Sequence, residues 1–283
     1  MPSVRDLRDR IRSLKNTQQI TKAMKQVAAA KIRRADALQK QSRPYADAIG
    51  AMLRDLIANV GSVDHPFMKP GREDAPGGVI LMTADKGLAG SFNSNLIRQA
   101  EILGREQQSL AWYSVGIKGR NALRRRHAEP LQLWPLAQGE MFATARELAH
   151  RVSDDFASGK IGSLTLISSK LVSMMTQRPE LRPILPIAAE APAEAKAGSV
   201  EFEPTPEFVL DRLLPKYLEF TLYSAMLETN ASFYAAQLIA MNNATDNAKK
   251  LIDENTVEMN KARQAAITKE ILEIVGGAEA LAG

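Results

Sequence analysis

After Pro215 the sequence runs without glycine or proline as far as Gly276, and this uninterrupted stretch limits the chain more than any other feature. Within and just beyond it Tyr234, Leu238, Met241, Ala248, Ile252, Met259, Ala262 and Ala266 recur in steps of four and three, interrupted only at Thr245 and Asn255. A repeat of period near 3.5 places apolar side chains along one seam of a helix, and such a seam needs a second helix to cover it. Thr205 is suited to cap the start, Pro206 to the first helical position and Glu207 to the positive end of the dipole. Pro215 is expected to kink the helix early, since it has no N–H for the ladder. At 1.5 Å per residue, roughly seventy residues make a helix on the order of 100 Å long, far beyond the globular norm.

The covering helix is sought at the other end. Residues 3–60 read as one helix in which Val4, Leu7, Ile11 and Leu14 begin a seam that Ile20, Met24 and Val27 continue. Tyr45, Ile49, Met52 and Leu56 carry it on, with Pro44 expected to bend or break the helix. Two seams on segments far apart in sequence are satisfied together by an antiparallel coiled coil. The C-terminal partner is the longer, so its last turns are expected to stand uncovered. There Arg263, Gln264, Thr268 and Glu270 mix with Ile267, Ile271, Ile274 and Val275, and from Ile267 the stripe shifts phase to Ile271, Ile274 and Ala278.

Between 77 and 203 the periodicity changes. "GGVILMT", "LAWYSVG" and "IGSLTLISSK" read as buried strands, separated by helices through "SNLIRQAEIL", "IKGRNALRRR" and "FATARELAHRVSDDFASG". "SMMTQRPELRPILPI" and "AGSVEFEP" read as further strands around an "AAEAPAEAKAG" loop. Alternating strands and helices with short turns imply a largely parallel sheet. The expected architecture is therefore α/β with long helices. An antiparallel coiled coil of residues 1–60 and 205–283 would carry an inserted, Rossmann-like α/β domain over 77–203.

Composition removes several classes of function. The absence of cysteine excludes disulfides, thiolate metal sites and cysteine nucleophiles, and fits a reducing compartment. No apolar run approaches the ~20 residues that cross a bilayer. Residues 1–15 lack the apolar core of a signal peptide, and Asp6 and Asp9 argue against a transit peptide. Charge is unevenly spread: residues 1–40 hold eleven Lys and Arg against three Asp, while the whole chain is only +5. A basic helix attracts an anionic partner, which could be nucleic acid, lipid or an acidic protein surface.

The motifs that could carry chemistry are weak. "TADKGLAGSFNSN" (83–95) lies where a strand meets a helix, the place where dinucleotide folds hold phosphate. Its glycines at 87 and 90 fit neither G-x-G-x-x-G nor G-x-x-x-x-G-K-[ST], so it reads as a structural turn. His65, His127 and His150 lack metal-like spacing or a serine–aspartate partner. Asp154 and Asp155 are adjacent, diverge around a helix and read as a solvated face. The basic clusters "KIRRADALQK" and "GRNALRRRH" lack the interleaved aromatics of a nucleic-acid platform. Neither a catalytic constellation nor a cofactor site emerges.

Four stretches together resemble the gamma subunits of F-type ATP synthases, bacterial type: "QITKAMKQVAAAKIRRA" (19–35), "SRPYADAI" (42–49), "TADKGLAGSFNSNL" (83–96) and "AMNNATDNAKKLIDENTVEMNKARQAAITKEILEIVGGAEAL" (240–281). The last carries the family pattern Ile267-Thr268-x-Glu270-x-x-Glu273-x-x-x-Gly277-Ala278, completed by Ala280. Ala89 and Ser91 stand where the family often has Cys and Gly, and Gln26 where it often has an apolar residue. The cysteine-bearing insert of chloroplast relatives is absent.

The resemblance implies a non-catalytic, cofactor-free rotor. The coiled coil would be the central-stalk shaft within a ring of three alpha and three beta subunits, and the α/β domain would sit beside epsilon and the membrane c ring. Proton flow would turn the shaft and drive each beta subunit through its nucleotide states, on the cytoplasmic face of the bacterial inner membrane. The subunit would be peripheral, with no transmembrane segment of its own and no nucleic acid among its partners. By the same resemblance, Arg263 and Gln264 would meet a beta catch loop, with Thr268 and Glu270 nearby, while Met24, Arg33 and Arg34 would face an acidic beta loop. Two rival readings are a nucleotide-dependent enzyme and a coiled-coil nucleic-acid binder; nucleotide binding by the isolated chain, or salt-dependent binding to DNA or RNA, would favour them.

Overall fold

The computed structural model describes residues 3–60, 65–107, 109–136, 139–187 and 205–282. Its elements run α1 (Val4–Val60), a 3-10 turn (Pro66–Met68), β1 (Gly77–Met82), α2 (Phe92–Glu106), β2 (Leu110–Val115) and α3 (Ile117–Arg124), then β3 (Gln132–Trp134), α4 (Met141–Ala157), β4 (Ser163–Ser173), β5 (Thr176–Leu185) and α5 (Pro206–Ala282). Both long helices continue through their internal prolines, Pro44 and Pro215. The expected strand over 197–204 lies outside the described residues. The chain divides into two compact units, one of Met1–Ala28 with Leu238–Gly283, the other Ala29–Gln237.

In the first unit α1 opens on a reciprocal cap. Asp6 accepts hydrogen bonds from the Ser3 amide (3.1 Å) and hydroxyl (2.8 Å), and Ser3 Oγ accepts from the Asp6 amide (3.2 Å). The two helices pair antiparallel: as the α1 position rises from Thr21 to Lys25, its α5 partner falls from Thr245 to Asn242. The seam differs from the expected one. Leu7 and Ile11 are buried, but Ile20 and Val27 are exposed; the four–three register passes instead through Thr21, Lys25 and Ala28. Ile20 and Val27 sit one residue, about 100° of helix, off that line. On α5 the expected seam is buried or half-buried through Ala262, whereas Ala266 is exposed. The two interruptions prove to belong to it: Thr245 meets Thr21, and Asn255 is buried, donating to the Leu251 carbonyl (2.6 Å).

The second unit is built on a five-stranded sheet of order β3-β2-β1-β4-β5, parallel except for β5. Three-residue β3 is too short to leave a periodic signal in sequence. Both faces are covered, which is why β1 is a continuous apolar run rather than an alternating one. Ile80, Met82, Tyr113, Val115, Leu164 and Leu166 face α4, the end of α1 and the start of α5. Val79, Leu81, Trp112 and Ile167 face α2, with Ile32 of α1 and Phe233–Ala236 of α5 joining that layer. Here too the long helices run antiparallel, the contacts moving from Lys31 over Tyr234 to Tyr45 against Phe220. Tyr45 and Met52, expected on the seam, keep about half their surface exposed; Leu53 and Ile57, each one residue past an expected seam position, are buried. α5 starts as expected, with Thr205 Oγ1 accepting from the Phe208 amide (3.3 Å).

Candidate functional site

In an open parallel sheet, ligands bind beyond the carboxyl ends of the strands where strand order reverses, here between β1 and β4. The chain fills the loops beside that position with its own groups. Asp85, just after β1, accepts from the amide of Ile117 at the start of α3 (3.0 Å) and from the Leu136 amide (3.1 Å). A carboxylate thus occupies the N-terminus of α3, the helix that follows β2. Asn93 ties the turn from the other side, accepting from the Ala84 amide (3.0 Å) and donating to the Lys86 carbonyl (3.2 Å). Gly116 has φ near +90° and presses on the Thr83 carbonyl, so a side chain there would clash. This freezes the β2–α3 turn against β1. The segment 83–95 is a turn held by these bonds.

The titratable groups most perturbed by folding also serve architecture. Asp155, read from sequence as one of a solvated pair, is buried, while Asp154 is exposed. The α4 position that points inward places Asp155 under β2, where it accepts from the Tyr113 hydroxyl (2.8 Å), Arg151 (2.7 Å) and Lys160 (3.3 Å). Burial pushes its carboxyl upward, but these three donors outweigh burial and hold it below the usual carboxylate range. Burial, reinforced by the same carboxylate, pushes the Tyr113 phenol well above its ordinary value. Burial likewise lowers His65, with exposed Asp211 at 3.5 Å opposing it; His65 Nδ1 accepts from the Phe67 amide and caps the 3-10 turn. His150 lies 3.8 Å from buried Glu219, which also binds Lys216. Among the described residues no cluster could hold a metal ion, and no helix is long and apolar enough to cross a membrane.

The surface that asks for a partner lies on α5, in the first unit. From Arg263 to Ala278 every residue is exposed, including Ile267, Ile271, Leu272, Ile274 and Val275. Helical spacing sorts them into two adjacent stripes, Arg263–Ile267–Glu270–Ile274 and Gln264–Thr268–Ile271–Val275, each mixing polar and apolar groups. Thr268 donates to the Gln264 carbonyl (2.9 Å), and Lys269 pairs with Glu273 (3.6 Å) on the far side. Arg263, Gln264 and Glu270 have no side-chain partner among the described residues. Five large apolar side chains within three turns of an otherwise uncovered helix exceed the scattered exposure of an ordinary surface.

The structure gathers Arg263, Gln264, Thr268 and Glu270 on that helix. Met24, half-buried, lies in the same unit on α1. Arg33 and Arg34 fall in the other unit; both are exposed, and Arg33 donates to its own helix at Ala29 (3.3 Å). Sequence reading missed the buried role of Asp155, whose signal is its place on the inward face of α4 with Ala145, Leu148 and Val152.

The α/β unit borders its crevice with its own polar groups, and in the other unit α5 bares mixed stripes; both are features of a subunit of a larger assembly. A family model described as ATP synthase matches residues 3–281. The ATP synthase gamma chain of Heliobacterium modesticaldum is 44% identical, covering 99% of this chain and all of the relative. That of Chlorobaculum tepidum is 40% identical over 99% of both. The chain belongs to the ATP synthase gamma-chain family. Among solved structures, the central stalk/c-ring of Tetrahymena thermophila mitochondrial ATP synthase matches with TM-score 0.61 and 27% identity, over 80% of this chain and 99% of that one. A Euglena gracilis mitochondrial ATP synthase chain (OSCP/F1/c-ring, rotational state 3) matches with TM-score 0.69 over 98% of this chain and 94% of that chain; at 19% identity the likeness is one of fold.

Proposed function

We propose that the chain is the central-stalk rotor subunit of a proton-translocating F-type ATP synthase and catalyses nothing itself. It couples rotation of the membrane c ring to the nucleotide states of three beta subunits, set in a ring with three alpha subunits. It does so at the cytoplasmic face of the bacterial inner membrane, as a peripheral subunit beside epsilon. In this reading residues 1–60 and 205–283 form the shaft and 77–203 the base. Arg263 and Gln264, with Thr268 and Glu270, make the transient polar contacts to beta; Met24, Arg33 and Arg34 face an acidic beta loop. Ile271, Ile274 and Val275 suit an apolar sleeve in which the helix turns.

The observation that carries the reading is the bare helix from Arg263 to Ala278, where each stripe combines a few polar groups with aliphatic ones. A rotor contact must hold one stator subunit at a time without a deep trap, because each ~1.4 kcal/mol of extra binding slows release about tenfold. Few charges and many aliphatic contacts meet that demand. The test is affinity purification of the tagged chain from cells making the whole complex. It is expected to bring down alpha and beta in equal amounts with ATPase activity; recovery of the chain alone, or with no ATPase activity, would refute the assignment.

A further inference from the structure

The helix α5 carries a run of polar residues, "ETNAS" (228–232), in the middle of an otherwise apolar stretch, and none of them is exposed. Thr229, Asn230 and Ser232 are buried, and Glu228 is half-buried. Burying four polar side chains costs free energy that aliphatic residues of similar size would not. The cost is not fully offset, since Asn230 Nδ2 has no partner among the described residues.

The sheet accounts for the place of this island. β4 is longer than its neighbour: β1 pairs with it only as far as Leu81 with Ile167, and β4 continues to Ser173 in a hairpin with β5. Beyond Ile167 the β4 edge that faced β1 has lost its strand, yet its backbone groups still require partners. α5 supplies them. Thr229 Oγ1 accepts from the Ser169 amide (3.3 Å), Glu228 Oε1 from the Leu171 amide (3.3 Å), and Ser232 Oγ donates to the Ser169 carbonyl (3.4 Å). Ala225 and Ala231, both buried, keep this part of the helix slender. Burial raises the Glu228 carboxyl, and the Leu171 amide opposes that shift.

Aliphatic packing resists separation but has no preferred bond direction, whereas a hydrogen bond fixes both distance and angle. We infer that Glu228, Thr229 and Ser232 form a torsional lock that fixes α5 to the overhanging β4–β5 hairpin, so that torque applied to the sheet passes into the helix without slack. The inference rests on the rotor reading and names the residues within the α/β unit that make it stiff. These are positioning residues; they touch no nucleotide and no stator.

The chain contains no cysteine, so Met175→Cys, at an exposed site on the hairpin tip, gives this chain a single attachment point for a rotation probe in a complex whose other subunits are cysteine-free. The experiment uses the assembled complex, stalled at one angle with its alpha–beta ring fixed to a surface, and measures the angular variance of the probe. Variance is inversely proportional to torsional stiffness. Removing two of three directed bonds with Thr229→Val plus Ser232→Ala is expected to raise the variance roughly two- to threefold and to speed exchange of the Ser169 amide roughly tenfold. Thr229→Ser, which keeps the hydroxyl, should restore both. Faster amide exchange with unchanged variance would show that the bonds only satisfy an edge and would overturn the lock. A variant that disassembles the complex, with Thr229→Ser equally defective, would overturn it too. If the probe on the otherwise unaltered complex fails to rotate with ATP, the rotor reading itself falls, and the lock with it.

Discussion

The same two helices meet in both units and use opposite chemistry. In the Ala29–Gln237 unit they contribute Leu53, Leu56, Ile57, Leu210, Leu214, Leu218 and Leu222, all buried in one large apolar core under the sheet. In the other unit, beyond the buried Leu7 and Ile11, the stretch around Thr21 meets its partner through small and polar groups: the Thr21 and Thr245 hydroxyls lie 2.8 Å apart, Lys25 donates to Asn242 Oδ1 (2.6 Å), and Ala28 is wholly buried. The first pairing can lean on a third layer. The second has only the partner helix, so register must be specified by directed bonds. Apolar bulk gives stability in one region, and polar matching gives alignment in the other.

Truncating the apolar side should have the largest effect on this contrast. Leu222→Ala, at a site with no exposed surface, is expected to cost about 2–5 kcal/mol, read as a fall in the midpoint of denaturant unfolding. A loss below ~1 kcal/mol would mean that the sheet-backed region is no better packed than the bare pairing. Next is Asp155→Ala, which strips three donors of their acceptor at a buried site and should cost about 2 kcal/mol at neutral pH. Its pH dependence has a definite sign. The folded carboxyl titrates below the unfolded one, so the stabilisation is complete above the unfolded value near 4 and is lost as pH falls through the folded value. The wild type should therefore lose its advantage over Asp155→Ala in acid; a constant difference down to pH 2 would contradict the network.

His65 gives a smaller effect in a different window. Its folded value is lowered by burial, so between that value and the unfolded one near 6.5 the unfolded chain binds the extra proton, and stability rises with pH. His65→Gln should flatten stability over the pH range just below the unfolded value, as followed by thermal melting; an unchanged slope would place the proton elsewhere.

How much of this was legible in sequence follows the same divide. Where burial is apolar, the pattern speaks: β1, β2 and β4, the helices between them and the Leu7–Ile11 seam are all readable from period alone. Where contact is made by polar or small groups, hydrophobicity points to the wrong residues. Ile20 and Val27 draw the seam one position off a line that Thr21, Lys25 and Ala28 define. Thr245 and Asn255, which interrupt the apolar repeat, are members of it. The polar bonds of Thr229 and Ser232 depend on where β1 stops, a tertiary fact with no local signal. The bare stripes after Ala262 were legible because their apolar and charged residues share faces that no intramolecular packing would want.

Paired substitution at the polar seam sharpens the contrast at low energetic cost. Thr21→Val with Thr245→Val replaces both hydroxyls by groups of the same shape, so neither helix is left with an unsatisfied partner. Stability should change by less than ~1 kcal/mol, and each single change should cost no more than the pair, because the remaining hydroxyl keeps an acceptor on its own helix, Gln18 for Thr21 and Met241 for Thr245. If the pair were as destabilising as the sum of the singles, the hydroxyls would be acting independently and alignment would rest on packing.

The smallest expected effect on folding is at Arg263, and there the contrast between stability and function is widest. Its side chain is exposed and makes no ion pair among the described residues, so Arg263→Ala should leave the melting temperature of the isolated chain unchanged, the change lying within ~0.5 kcal/mol. On the proposed reading, the same change in the assembled complex would remove one polar contact from a surface where Gln264, Thr268 and Glu270 remain beside the aliphatic groups. ATP hydrolysis coupled to rotation should fall while the isolated chain melts as before. Ile274→Ala, on the same stripe, separates polar contact from sleeve contact: it deletes aliphatic area and leaves Arg263 in place, so coupling should survive it better than it survives Arg263→Ala. Equal hydrolysis in Arg263→Ala and wild type would show that the mixed stripes act by shape alone, and that the polar residues on them only keep the bare helix in solution.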